Sequence, residues 1–116
     1  KAIGVKEENI YIINPLLLKE TNRIVKEALD KNEPTVIIAA WPCAIMKFRD
    51  SDKDRFDLAP KKCVIDQEKC KRCKNCVKTG CPAILSGDNI TILPESCTGC
   101  SLCLQVCPFS AISFVD

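Results

Sequence analysis

The hydrophobic pattern divides this chain into two parts of different texture. From residue 9 to residue 48 apolar positions come in long runs, whereas beyond residue 62 they come in short clusters punctuated by cysteine. "NIYIIN" (9–14) is rich in β-branched and aromatic side chains, which suit a pleated surface, and predicts a strand. Asn14 followed by Pro15 predicts a helix start, with an asparagine cap and proline at the first helical position. Leu17, Leu18, Thr21, Ile24, Val25, Ala28 and Leu29 then recur at three- and four-residue steps, marking one apolar helix face. "PTVIIAAW" (34–41) is almost unbroken in its apolarity and predicts a strand covered on both faces. A helix between two such strands predicts a parallel βαβ crossover.

That unit is incomplete by itself. Two strands and one helix leave sheet edges open and bury little core. Residues 1–48 are therefore expected to belong to a larger α/β domain, and a chain opening on Lys1 rather than methionine fits a piece of a longer polypeptide. "RDSDKDRFDLAPKK" (49–62) is charged and aperiodic and is read as a linker. A cysteine-rich module follows from 63 to 116, so the fold class expected overall is α+β.

The module contains an internal repeat. "CVIDQEKCKRCKNC" (63–76) aligns with "ITILPESCTGCSLC" (90–103) at an offset of 27 residues, which lays Cys70, Cys73 and Cys76 on Cys97, Cys100 and Cys103. Each copy runs on to a Cys-Pro pair and then an Ala-Ile pair (83–84 and 111–112) that reads as strand. Four residues precede Cys81 in the first copy and three precede Cys107 in the second. A duplicated unit with strands before and after its cysteines predicts two halves related by a pseudo-two-fold axis.

Composition narrows the chemistry. Ten cysteines in 116 residues would suit a secreted disulfide scaffold, but such close spacing resists the geometry a disulfide demands. The longest apolar run, "TVIIAAWPCAIM", is too short to cross a bilayer, and no signal peptide is evident, so a reducing cytoplasmic setting is expected. The absence of histidine excludes imidazole ligands and a histidine base, and a net charge of +2 gives no case for nucleic acid or membrane binding. Three cysteines at two-residue separations let one tight loop offer three thiolates to a soft metal centre. Structural zinc usually shows two ligand pairs separated by a longer loop, which this chain lacks.

The runs "CKRCKNCVKTGCP" and "CTGCSLCLQVCP" resemble the bacterial ferredoxin pattern, in which the fourth cysteine serves the other cluster. That resemblance implies one 4Fe-4S cluster on Cys70, Cys73, Cys76 and Cys107, and a second on Cys97, Cys100, Cys103 and Cys81. Proline gives the crossing a rationale, since it holds the preceding cysteine extended or in a turn. Cys63 aligns with Ile90 and reads as a buried apolar position rather than a ligand; Cys43 reads as core packing, with a thiol near a partner surface as the alternative. Phe109, Phe114, Ile65, Ile92 and Ile112 read as core around the clusters. All five basic residues of the module, Lys69, Lys71, Arg72, Lys74 and Lys78, surround the first triplet. They suit either a docking patch for an acidic redox partner or a solvated loop that offsets an anionic cluster.

The order of these segments after "NIYIINPLLLKETNRIVKEAL" and "TVIIAAWPCAI" resembles the C-terminal end of the alpha subunit of indolepyruvate:ferredoxin oxidoreductase, a thiamine-diphosphate 2-oxoacid oxidoreductase. The resemblance implies that residues 1–48 end the thiamine-diphosphate domain. It further implies a parent enzyme that decarboxylates arylpyruvates to aryl-acetyl-CoA, with external ferredoxin as acceptor and a beta subunit as partner. The Gly-Asp segment that holds the diphosphate and magnesium in that family does not occur here, so this fragment is expected to carry electrons rather than to catalyse. The alternatives are an independent ferredoxin-like carrier, an iron-sulfur subunit of another redox complex, and a non-redox module stabilised by metal.

Overall fold

Ile10–Ile13 (β1) and Val36–Ala39 (β2) pair in parallel, with Ile10 opposite Val36 and Ile12 opposite Ile38, and helix Leu18–Asp30 (α1) connects them. In this computed structural model, residues 3–43, 49–56 and 61–115 are described, and the chain divides into two units, Lys1–Cys43 and Ala44–Asp116. Residues 44–48, with which the expected N-terminal segment ends, and 57–60 of the expected linker lie outside the described residues.

The βαβ crossover read from the sequence is present, with two corrections. First, α1 starts at Leu18 rather than Pro15. The Asn14 Oδ1 accepts the Leu16 N–H at 3.0 Å and its carbonyl accepts the Leu17 N–H at 3.1 Å. Asparagine thus closes a turn of its own, and the helix is displaced by one turn. Second, β2, expected to be covered on both faces, is not covered so by this chain alone. Ile13 and Ile24 are buried, but Ile12 is 72% and Ile38 45% exposed on adjacent strands. One helix can cover only one face of a two-stranded sheet. The buried Asn9 side chain holds the strand entry, its amide donating to Glu33 at 2.9 Å and its oxygen accepting from Lys31 at 2.9 Å. Lys6 pairs with the same Glu33 carboxylate.

Within the stretch read as a linker, Asp50–Phe56 forms a short helix, α2. Asp50 and Asp52 stand in its first turn, where carboxylates complement the exposed N–H groups. That local signal lies outside hydrophobic periodicity.

The cysteine-rich part is built from four three-residue strands and one short helix, α3 (Leu102–Val106). Cys63–Ile65 (β3) pairs antiparallel with Ile112–Phe114 (β6), and Ile84–Ser86 (β4) with Ile90–Ile92 (β5). The registers correspond across the two copies: Cys63 opposes Phe114 and Ile65 opposes Ile112, as Ile90 opposes Ser86 and Ile92 opposes Ile84. Flanking hydrogen bonds correspond as well. Asp66 N–H donates to the Ala111 carbonyl at 2.7 Å, and Leu93 N–H to the Ala83 carbonyl at 2.8 Å. Ile65, Ala83, Ile84, Ile90 and Ile112 form a buried core together with Cys63, Cys76, Cys97 and Cys103. Phe109 and Phe114, expected in that core, are 44% and 39% exposed.

Candidate metal centre

Each cysteine triplet hangs from its strand by the same backbone device. The Cys70 N–H donates to the Asp66 carbonyl at 3.0 Å, and the Cys97 N–H to the Leu93 carbonyl at 3.0 Å. Left-handed residues then alternate with cysteines at equivalent places: Arg72 (φ 54°) and Lys74 (φ 61°) in the first copy, Gly99 (φ 73°) and Ser101 (φ 65°) in the second. A left-handed non-glycine residue costs roughly 1–2 kcal/mol. Such residues next to ordinary ones make concave nests of N–H groups that favour an anion. The loop conformation is thus repeated even where the residue types are not.

The first loop leads into a cavity lined by Cys70, Cys73, Cys76 and Cys107, with Ile65, Ile90 and Ile112 among its apolar walls. These are the four cysteines expected around one cluster, and Cys107 reaches them from the other half of the repeat. Cys107 is extended (φ −82°, ψ 110°) ahead of Pro108, as the sequence anticipates, and its sulfur accepts the Ala111 N–H at 3.4 Å. Burial pushes the Cys76 thiol up, opposed by backbone N–H groups, with the nearby sulfurs of Cys70 and Cys107 raising it further.

The second triplet is more enclosed. Cys97 and Cys103 are buried and Cys100 is half-buried, whereas Cys73 at the corresponding first site is exposed. Burial also raises the Cys103 thiol, and the Cys100 and Cys97 sulfurs add to it. The expected fourth ligand, Cys81, is half-buried and packs against the shared core. The sulfur beside Cys97 and Cys103 is that of Cys63, whose thiol burial pushes far up and whose N–H donates to the Cys97 sulfur at 3.4 Å. Sequence reasoning classed Cys63 as a buried apolar residue; it is buried, and it also stands at the second triplet. The available signal was its alignment with Ile90, which lines the first cavity. Cys43 is exposed rather than in a core.

Among the described residues no three Cys, Asp or Glu side chains close to the spacing of a single ion. A tetrahedral zinc site with bonds of about 2.3 Å would need its sulfurs within about 4 Å of one another. A cavity walled by four cysteines and aliphatic side chains fits a larger, softer centre. The donor set suits an iron-sulfur cluster: thiolates only, N–H groups near sulfur, apolar walls.

Comparisons with known proteins agree in kind. Residues 90–113 match the 4Fe-4S binding domain family. The indolepyruvate oxidoreductase subunit IorA of Methanothermobacter thermautotrophicus is 33% identical over 97% of this chain and 17% of its own length. The same subunit of Pyrococcus horikoshii is 30% identical over 99% of this chain and 18% of its own length. The yeast translation initiation factor RLI1 is 32% identical over 75% of this chain and 12% of its own length. The chain therefore spans less than a fifth of these relatives. No solved structure matches.

Proposed function

Starting from a chain that corresponds in sequence to the C-terminal, ferredoxin-bearing segment of IorA-type indolepyruvate oxidoreductase subunits, we propose that it carries electrons through two 4Fe-4S clusters out of such an oxidoreductase. The observation that carries this reading is the cavity that gathers Cys70, Cys73, Cys76 and Cys107 from both halves of the repeat. In this proposal Cys97, Cys100, Cys103 and Cys81 hold the second cluster, and a pseudo-two-fold axis relates the halves. Corresponding strand registers and paired left-handed positions support that symmetry. When bound, such clusters supply one-electron transfer at potentials set by cluster type, hydrogen bonds to sulfur and exposure. The protein's part is to hold the thiolates, direct N–H groups at them and wall them with Ile65, Ile90 and Ile112.

In the same reading, residues 1–48 finish a thiamine-diphosphate domain supplied by the rest of a longer subunit. The exposed Ile12 and Ile38 on one face of the β1–β2 pair are a surface that such a domain would cover. The oxidation of arylpyruvates, a beta subunit and external ferredoxin as acceptor belong to that larger assembly. A cytoplasmic location suits a chain whose cysteines serve a metal centre rather than disulfides; among the described residues no helix is long and apolar enough to cross a membrane. An IorA-type host is favoured over other iron-sulfur proteins because the match covers nearly the whole chain, the βαβ segment included, whereas that to RLI1 covers three quarters. Iron and acid-labile sulfide analysis of protein purified without oxygen tests the reading. About eight of each per chain are expected, and a protein with zinc alone refutes it.

A further inference from the structure

The two candidate cluster sites share a loop backbone and differ in the charge their loops carry. The loop of residues 70–82 carries Lys71, Arg72, Lys74 and Lys78 and no acidic residue, whereas the loop of 97–108 carries no charged residue at all. All four basic side chains are exposed. Lys69 beside them is already paired with Asp66 at 3.4 Å, and the other four have no ion pair among the described residues. Lys71 and Lys74 also line the cavity of Cys70, Cys73, Cys76 and Cys107. The left-handed backbone at Arg72 and Lys74 is the same as at Gly99 and Ser101, so the loop geometry does not require these charges.

We infer that the first site is the port of the module, and that this basic collar is the docking surface for an acidic one-electron carrier protein. The inference rests on the electron-transfer reading above and adds where a partner binds. Three observations converge on that occupant. Cys73 is the exposed cysteine of the first site, so the shortest path to an outside acceptor leaves through this loop. The collar surrounds that edge, where opposite charge on a partner raises the encounter rate and aligns its redox centre with the site. The second site, with Cys97 and Cys103 buried, has at its rim the Lys62 ammonium, already held by the Cys97 carbonyl, against four exposed cations on the first loop, and suits an internal relay position. A nucleic acid would gain from a wider basic surface, but the whole chain carries a net charge of only +2.

Binding measures this directly. The intact, cluster-loaded chain is titrated by calorimetry with an oxidised acidic ferredoxin at low and at near-physiological salt, and with a basic haem carrier protein as comparison. The wild type is expected to bind the ferredoxin and to weaken by about tenfold or more as salt shortens the reach of its charges. Lys71→Glu/Lys74→Glu should weaken low-salt binding by about tenfold or more, lose the salt dependence and gain affinity for the basic carrier. Because those two residues line the cavity, Lys78→Glu, which lies outside it, is run in parallel and should show a smaller change of the same sign. Iron content is assayed on every sample, so a chain without iron refutes the electron-transfer reading separately. Iron-replete variants that bind ferredoxin like the wild type at low salt overturn the docking surface, as does a wild type that binds both carriers equally.

Discussion

Gly99 is the position where a single methyl group should do most damage to the second site. Its φ is 73°, in the left-handed region, and a Cβ built there would collide with the carbonyl oxygen of Lys61 and lie 3.1 Å from its backbone nitrogen. The obstacle is main chain, two residues before β3, so no side chain can swing aside. Gly80 provides an internal control: its φ is 72°, yet a Cβ there would meet nothing within 4 Å. Both alanine variants incur the left-handed penalty of about 1–2 kcal/mol. Gly99→Ala adds an overpacking cost of about 1–3 kcal/mol, because Lys61 and the cysteine loop must move apart. The expected destabilisation is therefore about 2–5 kcal/mol for Gly99→Ala, against about 1–2 kcal/mol for Gly80→Ala. The assay is anaerobic denaturant unfolding followed by loss of visible cluster absorbance, with both variants and the wild type side by side. Equal midpoints for the two variants would refute the reasoning, since backbone strain alone would then account for the effect.

Cys63→Ile should leave the iron content unchanged, because the corresponding first-site wall is already isoleucine at position 90. It should lower the reduction potential of the second cluster only, by removing a polarisable thiol from beside Cys97 and Cys103; voltammetry on the loaded chain reads the shift, and loss of half the iron would instead make Cys63 a ligand. In the N-terminal unit, the Lys6 ammonium and the Asn9 amide hold the Glu33 carboxyl below its ordinary value of 4.5, so its contribution is present above that value and fades as pH falls through the lowered one. Glu33→Gln should flatten that acid limb of the stability curve; an unchanged limb, followed by Tyr11 or Trp41 fluorescence, would show that the contact contributes nothing.

What could be read from the sequence and what could not follow one physical division. Cysteine spacing within a loop is local, so the triplets and the duplicated strands were legible, and the structure gathers Cys70, Cys73, Cys76 and Cys107 around one cavity. β-branched and apolar runs found β1 and β2, and periodicity found α1. These patterns missed the turn that Asn14 makes for itself and the start of α2, where the Asp52 carboxylate accepts the Arg49 N–H, because both depend on side chains bonding to nearby backbone rather than on apolar repeats. Contacts across the fold were the least legible. Cys63 was seen as apolar because cysteine packs like a small hydrophobe; only the antiparallel pairing of β3 with β6 and its N–H bond to the Cys97 sulfur put it at the second site. The exposure of Ile12 and Ile38 was also hidden, since an apolar run reports what a strand can bury and not what is there to cover it.

The central claim is that each half of the repeat lends one thiolate to the other half's cluster, and low-temperature electron paramagnetic resonance of reduced Cys107→Ala tests it most directly. The account predicts that this variant loses or converts the same signal as Cys76→Ala, 31 residues earlier in the chain, while the other signal stays intact. A Cys107→Ala spectrum that instead matches Cys97→Ala would contradict it.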